Sequence, residues 1–312
     1  MHPFKYTWVL VLLISLVVFS LGSAELIITA IYQLNLASQL ALQGINALIT
    51  GLIVGWVAIG TSPLIRQMLA TFRLFTRLES LTHPLLLRLS HEAPGTYHHS
   101  LQVGTLANAA ARAIGADPLL ARLGGYYHDI GKLTQPAYFI ENQRGNDNPL
   151  DALTPREAAR AIIAHIDDGL ALGAQHHLPA ELLALIAQHT GTTTVRYFLE
   201  KARGAGKRTV NPETFRYPGP KPQTREAGIV MLADVIEAKV RLLTNSDDRT
   251  LRQLVDETIS EKFEDGQLEL AGFYSNDLPL LRIAFVAALG TMLHQRIAYP
   301  MATNPPVRER ER

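Results

Sequence analysis

The sequence of 312 residues contains no cysteine and almost no excess of charge of either sign. Without cysteine it has neither disulfide bonds nor thiolate metal sites, so a metal ion would be bound by His, Asp or Glu. The 29 basic and 28 acidic side chains leave a net charge of +1. That balance lacks the positive excess typical of proteins that bind a nucleic acid polymer, and the 47% hydrophobic content excludes a disordered chain.

Charged residues are also missing from two long segments near the start of the sequence, Tyr6 to Ala24 and Leu26 to Ile65. Within them, Trp8 to Leu21 with its uncharged flanks, and roughly Leu42 to Ile65, are each long enough for a helix that crosses a bilayer. We therefore predict that residues 1–65 form a membrane hairpin of two transmembrane helices.

Basic residues around these segments predict the orientation of the hairpin. Lys5 precedes the first span, Arg66, Arg73 and Arg77 follow the second, and the connection between the spans has neither Lys nor Arg. The positive-inside rule then places both ends in the cytoplasm. We expect a multi-pass protein of the cytoplasmic (inner) membrane, in contact with the lipid bilayer. In the alternative interpretation, residues 1–24 are a signal peptide.

Beyond Ile65, the spacing of apolar residues is that of a soluble helical protein, so the predicted fold is all-α. Residues 66–90 are predicted to be a connector helix, interrupted near Pro84, and residues 301–312 a disordered tail. Further helices are predicted over Tyr97–Ile114, Pro118–His128, Pro155–His165, Pro179–His189, Thr224–Leu243, Leu251–Phe263 and Pro279–Arg296, with a loop over Lys201–Gln223.

Histidine is unevenly distributed, because nine of the 11 histidines lie between positions 83 and 189. One of them, His128, is followed directly by Asp129 at the end of a predicted helix. An imidazole and a carboxylate placed in this way can bind one metal ion, while the second carboxylate oxygen bridges to another. Asp234 lies within an apolar helical stripe, where a carboxylate favours a bound cation. These residues predict a metal site.

At these residues the sequence resembles the HD phosphohydrolase superfamily, and five strings resemble its PgpH-type, seven-transmembrane HD family. The strings are His91–Ser100, Tyr126–Lys132, Phe139–Gln143, Tyr217–Thr224 and Glu264–Leu268. The resemblance extends from about Leu64 to Pro300 and implies a helical HD-domain bundle over residues 91–300. PgpH-type proteins are bacterial membrane hydrolases of cyclic di-AMP. The resemblance therefore implies a membrane-anchored, metal-dependent phosphodiesterase that produces pApA.

When the family's motifs are matched to this sequence position by position, the resemblance also implies which residues bind the metal ions. The first metal would be bound by His99, His128, Asp129 and Asp234, and the second by Asp129 as a bridge together with His165 and His189. Thr190 stands where the family usually has another histidine, which leaves the occupancy of the second site open. We expect two divalent transition-metal ions, and imidazole ligands favour iron or manganese over magnesium.

Asp129, as the bridge, and Lys132, which would stabilise developing negative charge, are the predicted catalytic residues. Lys221, Arg144 and Thr192 are predicted to bind the substrate. Glu237, one helical turn from Asp234, would either orient a ligand or lie on an exposed edge.

Alternatives to the enzymatic interpretation are a weakly active or inactive module that binds the cyclic dinucleotide and signals, and an HD hydrolase of another nucleotide. Family members usually carry an extracytoplasmic domain and further spans, so this sequence is interpreted as a truncated form, a fragment or a short relative without the sensor. Homodimerisation is left open.

Overall fold

The computed structural model of the chain describes residues 36–295, apart from 144, 146, 147, 205–209 and 244–246. The first predicted span, Trp8 to Leu21, and the predicted tail at 301–312 lie outside the described residues. The chain divides into two compact units, residues 1–80 and 81–312. Each unit is described by itself.

The described part of the N-terminal unit is a single long helix, α1, over Leu36–Glu79. By length and composition it is the one helix, among the described residues, that could cross a membrane. It contains the predicted second span and continues into the predicted connector. Residues 36–43, which belong to the predicted connection between the two spans, are helical. Pro63 lies inside α1, and the Ser62 hydroxyl donates a hydrogen bond to the Ile59 carbonyl at 3.0 Å, the acceptor that a proline leaves without an amide partner.

The described residues of the C-terminal unit form helices and loops without a strand, as the all-α prediction requires, and include one isolated bridge between Thr194 and Arg216. Its α-helices are α2 Pro84–Glu92, α3 Pro94–Ile114, α4 Pro118–Tyr127, α5 Pro155–Ile163, α6 His165–Gln175, α7 Ala180–Gln188, α8 Arg196–Gly204, α9 Arg225–Val240, α10 Asp248–Glu264 and α11 Asp277–Gln295. Short 3-10 helices cover Ile130–Thr134, Pro136–Tyr138, Ile140–Asn142, Pro149–Ala152 and Pro212–Phe215.

The starts of several helices follow from local sequence. Asp117 caps α4, because its carboxylate accepts hydrogen bonds from the Leu119 and Leu120 amides at 3.0 and 3.1 Å, and Pro118 takes the first helical position. This confirms the predicted start of α4. Thr154 and Glu157 form a capping box at the start of α5. Each motif lies within a few residues, so the sequence alone was sufficient to place it.

The sequence did not predict helices α6 and α8, and the predicted position of His165, a candidate ligand, was wrong. The helix predicted to close at His165 ends at Ile163, and His165 begins α6 instead. Helix α6 was not predicted, because Gly169 and Gly173 give it a poor intrinsic propensity. It is stabilised by packing against α7 and against the 3-10 helix at 130–134. Helix α8 was not predicted either, and its last residues occupy the start of the predicted loop.

Helix α3 lies at the centre of the C-terminal unit and packs against α4, α9 and α11. The main core consists of apolar side chains from these helices and from α10. Helices α3 and α4 approach most closely at Gly104 and Gly125, where a Cβ on Gly125 would overlap the backbone of Gly104. This close approach places the start of α3 beside the end of α4, which bear His99 and His128.

Candidate metal centre

The six predicted metal ligands come together at the ends of three helices and within two others. His99 lies on α3, His128 and Asp129 directly follow α4, His165 begins α6, His189 directly follows α7, and Asp234 lies on α9. Five of the side chains are at most 4% exposed, whereas that of Asp234 is 23% exposed. The cluster is therefore buried and opens at Asp234.

Two histidines face one side of the Asp129 carboxylate. His99 Nε2 lies 3.1 Å from Asp234 Oδ1 and 3.6 Å from Asp129 Oδ2. His128 Nε2 lies 3.2 Å from Asp129 Oδ2 and 3.8 Å from Asp234 Oδ1. Two imidazole nitrogens and two carboxylates are thus close enough to share one cation.

The other two histidines face the second oxygen of the same carboxylate. Asp129 Oδ1 lies 3.5 Å from His165 Nε2 and 3.7 Å from His189 Nε2. The two oxygens of Asp129 therefore point to two different groups of ligands, as a carboxylate that bridges two ions would.

In three of the histidines, Nε2 faces the carboxylates and the other ring nitrogen, Nδ1, fixes the orientation of the ring. Each Nδ1 lies within hydrogen-bond distance of the carbonyl oxygen three residues earlier: His128 with Gly125 at 2.8 Å, His165 with Ile162 at 2.6 Å and His189 with Ile186 at 2.8 Å. A carbonyl oxygen only accepts, so each Nδ1 carries a proton, and in the neutral ring the electron pair is then on Nε2, which faces the carboxylates.

These free electron pairs make the pocket suitable for a metal ion. His165 Nε2 and His189 Nε2 lie 3.4 Å apart, and His128 Nε2 is buried with no hydrogen-bond partner among the described residues. Facing electron pairs repel each other, and a buried acceptor without a donor is costly. A divalent cation would resolve both conflicts, so the residues present fit a metal site.

His99 is held differently, by a carboxylate. Its Nδ1 lies 2.5 Å from Glu237 Oε2, and the Glu237 side chain is 5% exposed. Glu237 is therefore a buried partner of His99 and does not lie on an exposed edge. Burial alone would lower the pKa of His99, but hydrogen bonds to Asp234 and Glu237 outweigh it and raise the pKa to about 10. The surrounding acids favour positive charge here, whether a proton or a metal ion.

The remaining groups have the protonation states that metal binding needs. Burial lowers the pKa of His189 to about 3 and also lowers that of His165, so both rings are neutral at neutral pH. Burial would raise the pKa of Asp129, but His128 and Lys132 outweigh it and hold the pKa well below its usual range. His165 and His189 thus place neutral imidazoles beside the ionised carboxylate of Asp129, a combination that suits divalent transition metals.

Lys132 forms an ion pair with the carboxylate of Asp129. Its Nζ lies 2.6 Å from Asp129 Oδ2 and 2.8 Å from Glu141 Oε1, and the Thr96 hydroxyl donates to that same Glu141 oxygen at 3.0 Å. Sequence reasoning did not assign Glu141 a role. Thr96 lies 45 residues away from it in the chain, so no local pattern could have revealed this contact.

The predicted substrate-binding residues lie apart from the ligand cluster or outside the described residues. Arg144 lies outside them. Lys221 Nζ lies 3.3 Å from Glu269 Oε2, and the Thr192 amide and hydroxyl are hydrogen bonded to Gln267 at 2.9 and 3.0 Å. In the part of the chain that the structure describes, neither Lys221 nor Thr192 forms a hydrogen bond or ion pair with the six ligands.

Several known proteins are similar to this chain in sequence. An HD domain family model matches residues 96–239. The chain is 40% identical over 283 residues to cyclic-di-AMP phosphodiesterase PgpH of Bacillus subtilis, covering 88% of this chain and 40% of that relative. It is 39% identical over 247 residues to the protein of the same name from Listeria monocytogenes, covering 78% of this chain and 34% of the relative. The chain thus spans less than half the length of these curated relatives.

Two crystal structures are also similar to this chain. The L. monocytogenes phosphodiesterase PgpH HD domain is 39% identical with a TM-score of 0.64, and the match covers 68% of this chain and 100% of the other. The same domain in complex with cyclic-di-AMP is 39% identical with a TM-score of 0.65, covering 68% of this chain and 99% of the other.

Proposed function

The chain belongs to the PgpH-type family of HD-domain proteins, and on this basis we propose that it is a membrane-anchored, metal-dependent phosphodiesterase that hydrolyses cyclic di-AMP to pApA. The observation that carries the proposal is the convergence of four Nε2 atoms on two carboxylates, with Asp129 facing both pairs of histidines. The names of the two relatives, and the neighbouring structure bound to cyclic-di-AMP, support this choice of substrate.

The proposed cofactors are two divalent ions, iron or manganese. The proposed ligand sets are His99, His128, Asp129 and Asp234 for one ion, and Asp129, His165 and His189 for the other. Bound there, such ions would lower the pKa of a water nucleophile and neutralise the phosphate oxygens. All six residues come from one chain, so the site does not require a second copy.

The protein groups around the ligands would contribute orientation and charge. Asp129 fixes the spacing of the two ligand groups, because its two oxygens belong to one rigid carboxylate. Lys132, held between Asp129 and Glu141, is the proposed source of positive charge for the transition state of phosphodiester cleavage. Its ammonium is already positioned before substrate binds, so little reorganisation is needed during the reaction.

Further substrate contacts and the cellular location belong to the same proposal. Lys221, Arg144 and Thr192 are proposed to bind substrate, with Lys221 exchanging its exposed partner Glu269 for a phosphate oxygen. Helix α1 is the proposed anchor, as part of a multi-pass hairpin in the cytoplasmic membrane, with the catalytic unit in the cytoplasm.

The test is metal analysis of the purified chain together with its activity on cyclic di-AMP. Asp129→Ala removes the proposed bridge, so we expect it to lose most of the bound metal and to abolish production of pApA. The matched control is Asp167→Ala, because Asp167 is an exposed carboxylate at the start of α6. Metal content unchanged in the Asp129 variant would contradict the assignment of the ligands.

A further inference from the structure

Lys262, on α10, is a buried basic residue with no ion-pair partner among the described residues. The residue is 8% exposed, and its ammonium makes no hydrogen bond or ion pair with any residue that the structure describes. Burial lowers the pKa of Lys262, and the carboxylates of Glu261, Asp234 and Asp265 offset this only in part. Keeping an ammonium in such a position costs free energy, and an anion bound beside it would recover that cost.

The groove that Lys262 lines is large enough for part of a nucleotide. Its volume is about 810 Å³, and its walls are formed by residues of α8 and α10, by Thr193 and Thr194 before α8, and by Arg216. Ligand pockets of roughly 300–1,000 Å³ are typical for small molecules.

The other basic residues of the groove already have acidic partners. Arg203 lies 2.7 Å from Glu200, Arg216 lies 3.1 Å from Glu213, and Arg196 lies 3.9 Å from Glu261. Among the described residues of the groove, Lys262 is therefore the one cation that has no carboxylate within ion-pair distance.

Two sets of contacts link the groove to the metal centre. Helix α9, which carries Asp234, packs against α10, and the Asp234 charge acts on Lys262. Arg216, which also lines the groove, donates to the Thr192 carbonyl at 2.9 Å, and the ring of the next residue, Tyr217, lies 5.9 Å from the His165 ring. Lys262 and Arg216 thus each have a link to a proposed metal ligand.

From these contacts we infer that the Lys262 ammonium binds the phosphate of the cyclic dinucleotide that is not being cleaved. A cyclic dinucleotide has two phosphodiesters on opposite sides of its ring, so the second one lies away from the metal centre while the first one reacts. An ammonium is a compact point charge that suits a phosphate oxygen. This inference rests on the proposed function.

The test compares two substrates, cyclic di-AMP and bis(p-nitrophenyl) phosphate, which has a single phosphodiester. Lys262→Met keeps an unbranched apolar side chain but removes the charge. We expect the KM for cyclic di-AMP to rise about tenfold, as loss of one charged hydrogen bond would produce, with kcat changed less than about twofold. The KM for bis(p-nitrophenyl) phosphate should not change, and Lys262→Arg should restore much of the lost affinity for cyclic di-AMP.

The matched control is Arg252→Met. Arg252 also lies on α10, pairs with Asp248 at 2.8 Å and is not part of the groove, so its loss should leave both KM values unchanged. Thermal unfolding serves as the structural readout, because removing an unpaired buried charge should not lower the melting temperature. If Lys262→Met does not fold, Lys262→Gln provides the same comparison.

The outcomes separate this inference from the proposed function. If the KM for cyclic di-AMP is unchanged in the Lys262 variant, or if the KM rises equally for both substrates, the role of Lys262 is wrong and the proposed function stands. If the wild-type protein cleaves bis(p-nitrophenyl) phosphate but not cyclic di-AMP, the proposed function is wrong, and the role of Lys262 is wrong with it.

Discussion

At the scale of single residues, the metal centre depends on the group that binds the far nitrogen of each histidine. Three histidines use a backbone carbonyl, and His99 uses the Glu237 carboxylate at 2.5 Å.

Glu237→Gln keeps the shape of the side chain but removes the charge that orients the His99 ring and increases its basicity. We expect metal affinity to fall about 10–100-fold, measured by competition with a chelator. Glu257→Gln on α10, an exposed carboxylate, is the control, and equal affinities in the two variants would refute the role of Glu237.

Thr190 is the second residue whose replacement is informative. It directly follows the proposed ligand His189, and a hydroxyl is a weaker ligand for transition metals than an imidazole. If the second site is underfilled, Thr190→His should raise the ratio of metal to protein and the rate of hydrolysis, while Thr190→Ser should change neither. If Thr190→His changes neither the ratio of metal to protein nor the rate of hydrolysis, water or another residue already completes the second site.

At the scale of secondary-structure elements, the contact between the 3-10 helix at 130–134 and α6 positions the ligands on both. A Cβ on Gly131 would overlap the His165 carbonyl oxygen and lie 2.5 Å from the Gly169 amide nitrogen. Because backbone atoms cannot move aside alone, Gly131→Ala must displace α6, and with it His165. We expect a loss of about 1–3 kcal/mol or more in the free energy of unfolding, measured by urea denaturation, together with reduced metal content.

The control for Gly131 is Gly290→Ala. Gly290 lies inside α11, and a Cβ there would meet no atom within 4 Å. This variant should retain its metal and gain up to about 1 kcal/mol of stability, because alanine favours the helix. Equal stability of the two variants would show that α6 can shift without cost.

At the scale of the whole molecule, orientation in the membrane decides which compartment supplies the substrate. The absence of cysteine allows single introduced thiols to report it. With both ends in the cytoplasm, Gln39→Cys in α1 should react with a membrane-impermeant thiol reagent in intact cells. Gly206→Cys, which lies outside the described residues, should be protected. Labelling at Gly206 without labelling at Gln39 would contradict both the topology and a cytoplasmic substrate.

The sequence by itself determined the features that depend on neighbouring residues. The all-α class followed from apolar spacing, and the start of α4 followed from Asp117 and Pro118, whose contacts reach at most three residues. The His128-Asp129 pair indicated a metal site because it is a local pattern. The resemblance then added the more distant ligands, and the structure brings all six together.

Only the tertiary structure decided which residues support those ligands. His99 and Glu237 are 138 residues apart, and Thr96 and Glu141 are 45 apart. His165 begins a helix because α6 is stabilised by its neighbours, against its own low propensity. Lys262 lies in an ordinary amphipathic helix by sequence, and its burial beside Asp234 results from the packing of α10 on α9. Local patterns determine helices, whereas contacts over such separations exist only after the helices have packed.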